Sequence, residues 1–393
     1  TLDMAAALAA LREAKAPEEA LAEPVPVVTT RGTDSSPRFS PDGTVLVFLT
    51  QDGNDEWYTN QYVATVPAAG GAPRVVTRAF DEEADNPRFS ADGRSILFEG
   101  QARLASHIFS VPAAGGGVRR LTPGDDLHRR ISWSRDGRSA ALVRESPRDA
   151  PEVYLLEAGA RGGEPRLRPL SHVNDWTREY ATLVKEPFRW KAKDGMEIEG
   201  LLVKPAGLRP GQKAPLLVIV HGGPAGVFSN SFSVRRGVYP VQLFAQKGFA
   251  VLMPNPRGSG GYGEAFRKAN VRDWGGKDYE DIMAGVDALV AAGLADPERL
   301  GVMGWSYGGF MTARAITKTG RFKAASCGAG VTDTLSFTGV ADIPPFMRSY
   351  FGAWPWDDQA VYTLHTAMYN AKGVTTPTLI QHGGADARVP TPN

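Results

Sequence analysis

GWSYG, residues 304–308, is the stretch of this 393-residue sequence from which the fold can be worked out. It follows the apolar run Leu300–Met303, which is typical of a buried strand, and it precedes Phe310–Thr317, which predicts a helix. A serine flanked by glycines in a strand-to-helix turn is the pattern of a nucleophile elbow, since larger neighbours would collide there. The amide of Tyr307 would then face the charge that develops on a reacting carbonyl. The stretch predicts a nucleophilic Ser306.

Apolar runs and helical stretches alternate on both sides of this turn. The runs are Leu216–Val220, Ala250–Met253, Leu300–Met303, Ala324–Cys327 and Thr378–Gln381. Lys277 to Leu294 carries apolar residues on one helical face, and Asp194-Gly195 predicts an antiparallel hairpin in front of the first run. Short buried strands separated by helices indicate a mostly parallel sheet in an α/β domain.

Two loops after predicted strands suit acyl-transfer chemistry. HGGP, residues 221–224, lets the amide of Gly222 approach a reacting carbonyl, whereas the His221 imidazole is expected to be structural. An ordinary strand-end turn is the alternative for this loop. Asp386 lies in HGGADARVP, residues 382–390, after the last strand, and it follows the serine as the order serine, acid, histidine requires. Asp333 is the competing acid.

GSGGYG, residues 258–263, fits the glycine pattern of dinucleotide-binding loops. That function also needs an acidic residue at a strand end about 20 positions on. Asp278, Glu280 and Asp281 are near that distance but lie on the predicted helix, and no helix is expected to open cleanly at Gly263. We therefore predict an ordinary loop.

The N-terminal part repeats. PRFSPDG at residues 37–43 returns as PRFSADG at 87–93 and, more weakly, as ISWSRDG at 131–137, with Asp-Gly pairs 50 and 44 residues apart. VPAAGG recurs at 66–71 and 111–116 in the same order. Asp-Gly suits tight hairpin turns, and several short strands per unit at this period are typical of β-propeller blades. A β-sandwich is the alternative. The acidic residues 81–83 are interpreted as solvated rather than as a clamp for a substrate amine.

Composition excludes several classes of protein. Hydrophobic residues make up 42% and the formal charge is only +1, so neither a disordered chain nor binding to nucleic acid or a membrane surface is expected. The single cysteine, Cys327, excludes a disulfide framework and a zinc site built from cysteines. Nothing in the sequence calls for a metal or organic cofactor. Residues 1–22 lack the basic start of a signal peptide, which favours the cytoplasm.

The motifs together resemble the prolyl oligopeptidase family of serine peptidases, most of all its bacterial acylaminoacyl-peptidase-like members. The matching segments are HGGP (221–224), NPRGSGGYG (255–263), DWGG (273–276), GWSYGGF (304–310) and HGGADARVP (382–390). The resemblance implies an α/β-hydrolase domain preceded by a β-propeller. It also implies cleavage of short peptides with release of N-acylated amino acids or dipeptides, and a carboxylesterase is the alternative among enzymes.

The resemblance also implies a role for each matching residue. Ser306 attacks the carbonyl, Asp386 orients the base, and the amides of Gly222 and Tyr307 hold the oxyanion. Arg388 corresponds to a position that binds a substrate carbonyl or stiffens the acid loop, and a purely structural ion pair is its alternative. The aromatic residues Phe346, Tyr350, Phe351, Trp354 and Trp356 either line an apolar pocket or pack an irregular segment.

The histidine base is missing from its expected place, because no histidine follows Asp386. Of the six histidines, His382 paired with Asp333 is the only tempting substitute, and we expect instead that the stretch with the base is absent. Two classes of function stay open: a serine peptidase represented incompletely, and a non-catalytic peptide-binding or scaffold protein.

The length agrees with an incomplete protein. Residues 1–178 are predicted to form part of a β-propeller of about three blades, and residues 179–393 an α/β-hydrolase domain without its C-terminal end. At the observed repeat spacing 178 residues make fewer than four blades, whereas propellers close with about four to eight. We expect a second fragment or chain to complete the propeller and to supply the histidine.

Overall fold

The structure, a computed structural model, describes residues 25–157, 165–234 and 237–392. Its N-terminal part consists of three consecutive units of four antiparallel strands, of which the second and third are joined into one eight-stranded sheet. The first unit contains β1 (Asp34–Phe39), β2 (Val45–Thr50), β3 (Tyr62–Pro67) and β4 (Arg74–Val75). The second contains β5 (Ala84–Phe89), β6 (Ser95–Ala102), β7 (Ala105–Pro112) and β8 (Arg119–Arg120), and the third β9 (Leu127–Trp133), β10 (Ser139–Glu145), β11 (Glu152–Glu157) and β12 (Arg166–Pro169). These units are the predicted propeller blades.

Each blade begins with the same hydrogen-bonded hairpin at its Asp-Gly pair. In the first, Asp42 accepts hydrogen bonds from the Ser40 hydroxyl at 2.6 Å and from the Thr44 amide at 3.1 Å. Asp92 and Asp136 repeat both bonds at the same distances. The following glycines have φ between 66° and 75°, a conformation that glycine adopts without strain. The repeated sequence therefore encodes a repeated turn.

The C-terminal part is built on one seven-stranded sheet. Its strands are β13 (Lys185–Lys191), β14 (Glu197–Val203), β15 (Ala214–Val220), β16 (Ala250–Asn255), β17 (Ala295–Trp305), β18 (Phe322–Gly328) and β19 (Thr378–Gln381), in the spatial order β13-β14-β16-β15-β17-β18-β19. β13 and β14 form the predicted antiparallel hairpin, and β15 to β19 are parallel. The mostly parallel α/β sheet is confirmed.

Seven helices in the described residues accompany this sheet. They are α1 (Val241–Gln246), α2 (Glu264–Lys268), α3 (Lys277–Ala291), α4 (Tyr307–Lys318), α5 (Thr334–Val340), α6 (Pro344–Phe351) and α7 (Gln359–Thr363). Two short 3-10 turns, Asp175–Glu179 and Met368–Asn370, complete the regular structure. α3 packs on β13 and β17, and α4 packs on β15, β17 and β18, so the start of α4 is fixed at the carboxyl ends of the central strands.

The two parts of the chain contact each other directly. Arg103 donates to the buried carboxylate of Glu199 at 3.1 Å, and the amide of Trp57 donates to the Ser349 hydroxyl at 2.8 Å. The predicted join near residue 178 falls between the end of β12 and the start of β13, and the domain limits stay a prediction. Within residues 25–157, 165–234 and 237–392, every helix is too short or too polar to cross a bilayer.

Candidate active site

Ser306 occupies a sharp turn between β17 and α4. Its φ of 62° and ψ of −121° are sparsely populated for a residue with a side chain, so the surrounding structure must hold it there. The Ser306 amide donates to the Gly328 carbonyl at 2.9 Å. A methyl group on Gly304 would collide with the carbonyl of Gly308, and one on Gly308 with the carbonyl of Val220. The strand and the helix predicted on either side are present, although α4 begins directly after the serine.

The HGGP loop lies against this serine. A methyl group on Gly222 would stand 3.4 Å from Ser306 Cβ and 3.9 Å from Ser306 Oγ, so the glycine leaves its backbone open toward the hydroxyl. The His221 side chain is buried, with Nδ1 2.8 Å from the Gly222 carbonyl and Nε2 3.0 Å from the Ser259 hydroxyl. Burial lowers the pKa of His221 to about 4, so the ring stays neutral and fixes the loop.

Two supports of the elbow were missed by the sequence reasoning. The Tyr239 hydroxyl donates to the Val220 carbonyl at 3.0 Å and accepts from the Trp305 amide at 2.8 Å. It therefore ties the residue before the HGGP loop to the residue before Ser306. No local pattern marks this tyrosine, because it lies in an irregular segment.

The second support holds the side chain of Tyr307. Its buried hydroxyl donates to Asp278 on α3, and the side-chain amide of Asn270 lies 3.4 Å away. Burial raises the pKa of Asp278 to about 7, although the hydrogen bond from Tyr307 lowers it. Tyr307 itself has a pKa well above its usual value, through burial and then the nearby Asp278. The DWGG motif, which begins five residues before Asp278, was the sequence signal that could have indicated this support.

Asp386 follows β19 in a tight loop. Its Oδ1 accepts from the amides of Arg388 and Val389, both at 3.0 Å. Arg388 is 57% exposed and forms a two-pronged ion pair with Asp342 at 2.6 and 3.2 Å. The competing acid Asp333 caps α5 by accepting from the Leu335 amide at 3.1 Å. Asp333 is thus occupied at a helix start.

All six histidines have partners other than the serine. These are Thr122 for His107, Ser106 for His128, Asp175 for His172, Ser259 and Gly222 for His221, Arg314 and Asp273 for His365, and Val389 for His382. His382 Nε2 lies 2.6 Å from the Val389 carbonyl, with no bond to Asp333. In the part of the chain that the structure describes, no side chain forms a hydrogen bond with Ser306 Oγ. Among the described residues, the predicted nucleophile therefore has no base beside it.

The second glycine-rich loop, residues 258–263, is closed by the propeller part. The amide of Gly263 donates to Glu82 at 2.6 Å, and that of Glu264 to Asp81 at 3.0 Å. The expectation that no helix begins here was wrong, because α2 starts at Glu264 once these carboxylates satisfy its amides. Glu82 and Asp81 therefore occupy the amides that would bind the phosphate of a dinucleotide. The interpretation of residues 81–83 as merely solvated also needs correction, since Glu82 is buried.

The aromatic residues proposed for a pocket divide into two groups. Tyr350 and Phe351 are buried in the core beside Trp274, with ring centroids 5.1 and 5.6 Å from it. Trp356 is 76% exposed and stacks on Trp354. Packing accounts for Tyr350 and Phe351, and Phe346 also packs on Trp274, at 5.7 Å. Trp354 is half-buried, so Trp356 is the one of the five that is exposed to a ligand.

Known proteins were compared with the chain. Residues 237–393 match the prolyl oligopeptidase family. The uncharacterized peptidase YuxL of Bacillus subtilis is 36% identical over 61% of this chain and 35% of its own length. The acylamino-acid-releasing enzyme of Arabidopsis thaliana is 28% identical over 91% of this chain and 52% of its own.

Solved structures of peptidases are also similar to this chain. The acylaminoacyl peptidase of Pyrococcus horikoshii superposes with a TM-score of 0.77 at 26% identity, over 89% of this chain and 54% of that one. The chain thus spans about half, or less, of the length of these relatives. The predicted pairing of an α/β-hydrolase domain with part of a β-propeller is confirmed. On these matches, the chain is similar to members of the prolyl oligopeptidase family, whose family model matches residues 237–393.

Proposed function

We propose that this chain carries the nucleophile, the oxyanion donors and the orienting acid of a serine peptidase. The observation that carries the proposal is the strained Ser306 at the start of α4, with Gly222 directly beside it. A backbone conformation of this kind persists only where the surrounding structure enforces it, and such residues cluster at active sites. The match of residues 237–393 to the prolyl oligopeptidase family supports the same activity.

The proposed reaction has two steps. Ser306 Oγ attacks the carbonyl carbon of a peptide bond while a histidine takes its proton, and the amides of Gly222 and Tyr307 hold the oxyanion. Collapse of the intermediate breaks the C–N bond, and the histidine returns the proton to the leaving amine. Water then attacks the acyl-serine ester in the same way, which releases the acid and regenerates Ser306. Asp386 orients the histidine throughout.

The histidine of this scheme is the open part of the proposal. Each of the six histidines contacts residues other than Ser306. His107 and His128 lie on β7 and β9 of the propeller part. We propose that further polypeptide brings the base next to Asp386 and Ser306. Arg388, held by Asp342 at the rim of the same loop, would then either meet a substrate carbonyl or stiffen the acid loop.

Short peptides are the proposed substrates, with release of an N-acylated residue or a dipeptide. Curated relatives named as acylamino-acid-releasing enzymes and dipeptidyl-peptidases support both forms. A panel of N-acetylated peptides, free-amine peptides and simple esters distinguishes them. Cleavage of the esters alone would exclude a peptidase in favour of a carboxylesterase.

Among the described residues, no side chain forms a hydrogen bond with the Ser306 hydroxyl. This observation also supports a second candidate function, that of a non-catalytic peptide-binding protein. A fluorophosphonate probe and an intact-mass measurement on the protein from its natural source separate the two. Labelling that disappears in Ser306→Ala supports the peptidase, because only an activated serine reacts rapidly. A natural chain of these 393 residues with an unlabelled serine would refute it.

A further inference from the structure

The first strands of the three blades share an irregularity that the hydrolase site does not explain. In β1 the pairing with β2 gains one residue between Ser35 and Arg38. The same insertion occurs between Asp85 and Arg88 in β5, and at the equivalent place in β9. The residue inside each bulge is left-handed without being glycine, with φ of 54° at Ser36, 49° at Asn86 and 56° at Arg130. Bulges re-aim the side chains that follow them.

The positions two residues after these left-handed residues face one cavity. They are Arg38, Arg88 and Ser132, one from each blade, and the cavity they line has a volume of about 500 Å³. Arg135 joins them from the turn after β9, and Asn86 adds a polar side chain. Two of the three bulges thus bring an arginine to the cavity, and the turn after β9 adds the third.

These arginines have no carboxylate of their own. Among the residues that the structure describes, none of the three forms an ion pair. Arg88 is half-buried, with its guanidinium 6.0 Å above the ring of Trp133. Burial lowers the pKa of Arg88, and the like charge of Arg38 lowers it further. Guanidiniums are usually paired when they converge, so this arrangement favours an anion from outside.

The rest of the cavity wall indicates the kind of anion. Glu99 lies behind Asn86 and Ile131, but it accepts from the Asn86 side chain at 3.0 Å and from two backbone amides, so neutral donors already surround it. Phe39 is 56% exposed and adds apolar surface beside the arginines, whereas Phe89 and Ile131 are buried in the wall of the cavity. A small inorganic anion would leave this apolar surface without a partner, whereas a peptide with a free carboxylate would cover it.

We propose that Arg38, Arg88 and Arg135 form a binding site for the carboxylate of a peptide in the propeller part. The carboxylate lies between the guanidiniums, and the apolar part of the peptide lies on Phe39. The site is separate from Ser306, and it binds without any covalent step. It therefore stands or falls independently of the proposed peptidase activity.

Calorimetric titration of the full natural protein carrying Ser306→Ala, which removes the proposed nucleophile, tests the site. The ligands are N-acetyl-Ala-Ala-Phe as the free acid, the same peptide as its C-terminal amide, and N-acetyl-Ala-Glu-Phe amide. We expect the free acid to bind at least about tenfold more tightly than the plain amide, since charge-assisted hydrogen bonds are the strong ones. Binding of the glutamyl amide shows that a side-chain carboxylate also serves, and its failure assigns the site to C-termini.

Variants locate the binding. Arg88→Gln and Arg38→Gln should each weaken binding of the acid about tenfold, whereas Arg119→Gln, an exposed arginine on β8 outside the cavity, should leave it unchanged. Arg38 is exposed, so its variant decides the matter if Arg88→Gln fails to fold. Equal binding of acid and amide, equal effects of Arg88→Gln and Arg119→Gln, or binding of inorganic phosphate without the peptide acid would each overturn the proposal.

Discussion

Two glycine-rich turns of this chain, GWSYGG at 304–309 and GSGGYG at 258–263, look alike in sequence and have opposite uses. The first leads into α4 and presents the Ser306 hydroxyl with no hydrogen-bond partner among the described residues. The second leads into α2, whose first amides are taken by Glu82 and Asp81 of the propeller part. Helix starts attract negative groups in both cases. Glycine spacing therefore creates the turn, whereas the residues that pack against the turn determine what it binds.

The largest expected effect comes from filling the first turn. Gly308→Ala places a methyl group on the Val220 carbonyl, where neither backbone can retreat without moving β15 or α4. We expect a loss of about 3 kcal/mol or more in the free energy of unfolding, measured by urea denaturation. Gly320→Ala is the matched control, because nothing lies within 4 Å of its added methyl group. Similar stabilities of the two variants would contradict the tight packing of the elbow.

The pH dependence of stability tests the support beneath the first turn. The pKa of Asp278 rises from the ordinary carboxyl range to about 7 on folding, so the folded state holds a proton that the unfolded state has released. Stability is therefore full below pH 4 as far as this group is concerned, and it is lost as the pH rises toward 7.

Between pH 5 and pH 8.5, we expect the free energy of unfolding of Asp278→Asn to fall by about 2 kcal/mol less than that of the wild type. Denaturation at each pH measures both values. Glu280→Gln, an exposed neighbour on α3, should follow the wild type. Parallel pH profiles for wild type and Asp278→Asn would show that this carboxyl group titrates normally.

Weakening the contacts of the GSGGYG turn should lower the free energy of unfolding by less than Gly308→Ala does. Glu82→Gln keeps the shape of the side chain but removes the charge that accepts from Gly263 and faces Arg267 at 3.6 Å. We expect a loss of about 1–3 kcal/mol in thermal or urea unfolding, because the buried donors keep only a neutral acceptor. Glu83→Gln, whose side chain is 51% exposed, should change stability by about 1 kcal/mol or less. A larger effect at Glu83 would reverse this assignment.

The smallest effect is expected from the hydroxyl that ties two strand ends together. Tyr239→Phe leaves the Trp305 amide and the Val220 carbonyl without their shared partner, at a cost of about 1 kcal/mol. Unfolding of this variant is compared with that of Tyr180→Phe, whose ring is 62% exposed. If both tyrosines proved equally dispensable, the bridge would not contribute to holding the elbow.

The sequence predicted most of the fold because its signals are local. Buried parallel strands must be apolar along their length, so the run ending at Val220 marks β15 to within two residues. The run ending at Gln381 marks β19, although all four residues of this edge strand are exposed. The Asp-Gly repeats mark the blade hairpins because a tight turn needs a residue that tolerates positive φ. The roles of Ser306, Asp386, Gly222, Tyr307 and Arg388 remain predictions, which the geometry around the elbow supports.

The remaining features depend on residues far apart in the chain. Glu82 meets Gly263 across 181 positions, and nothing in either segment announces the other. The bulges before Arg38 and Arg88 shift a strand by one residue, which the alternation of side chains does not reveal. Tyr239 is an isolated aromatic residue until folding brings β15 and β17 together.

By itself, the sequence determined the class of fold, the nucleophile elbow and the repeated blades, because each depends on sterics within a few neighbouring residues. Only the tertiary structure decided which helix start is free and which is filled, which histidines are engaged, and where unpaired arginines converge. Those outcomes depend on which charged and polar groups meet in space, and chain order does not specify that.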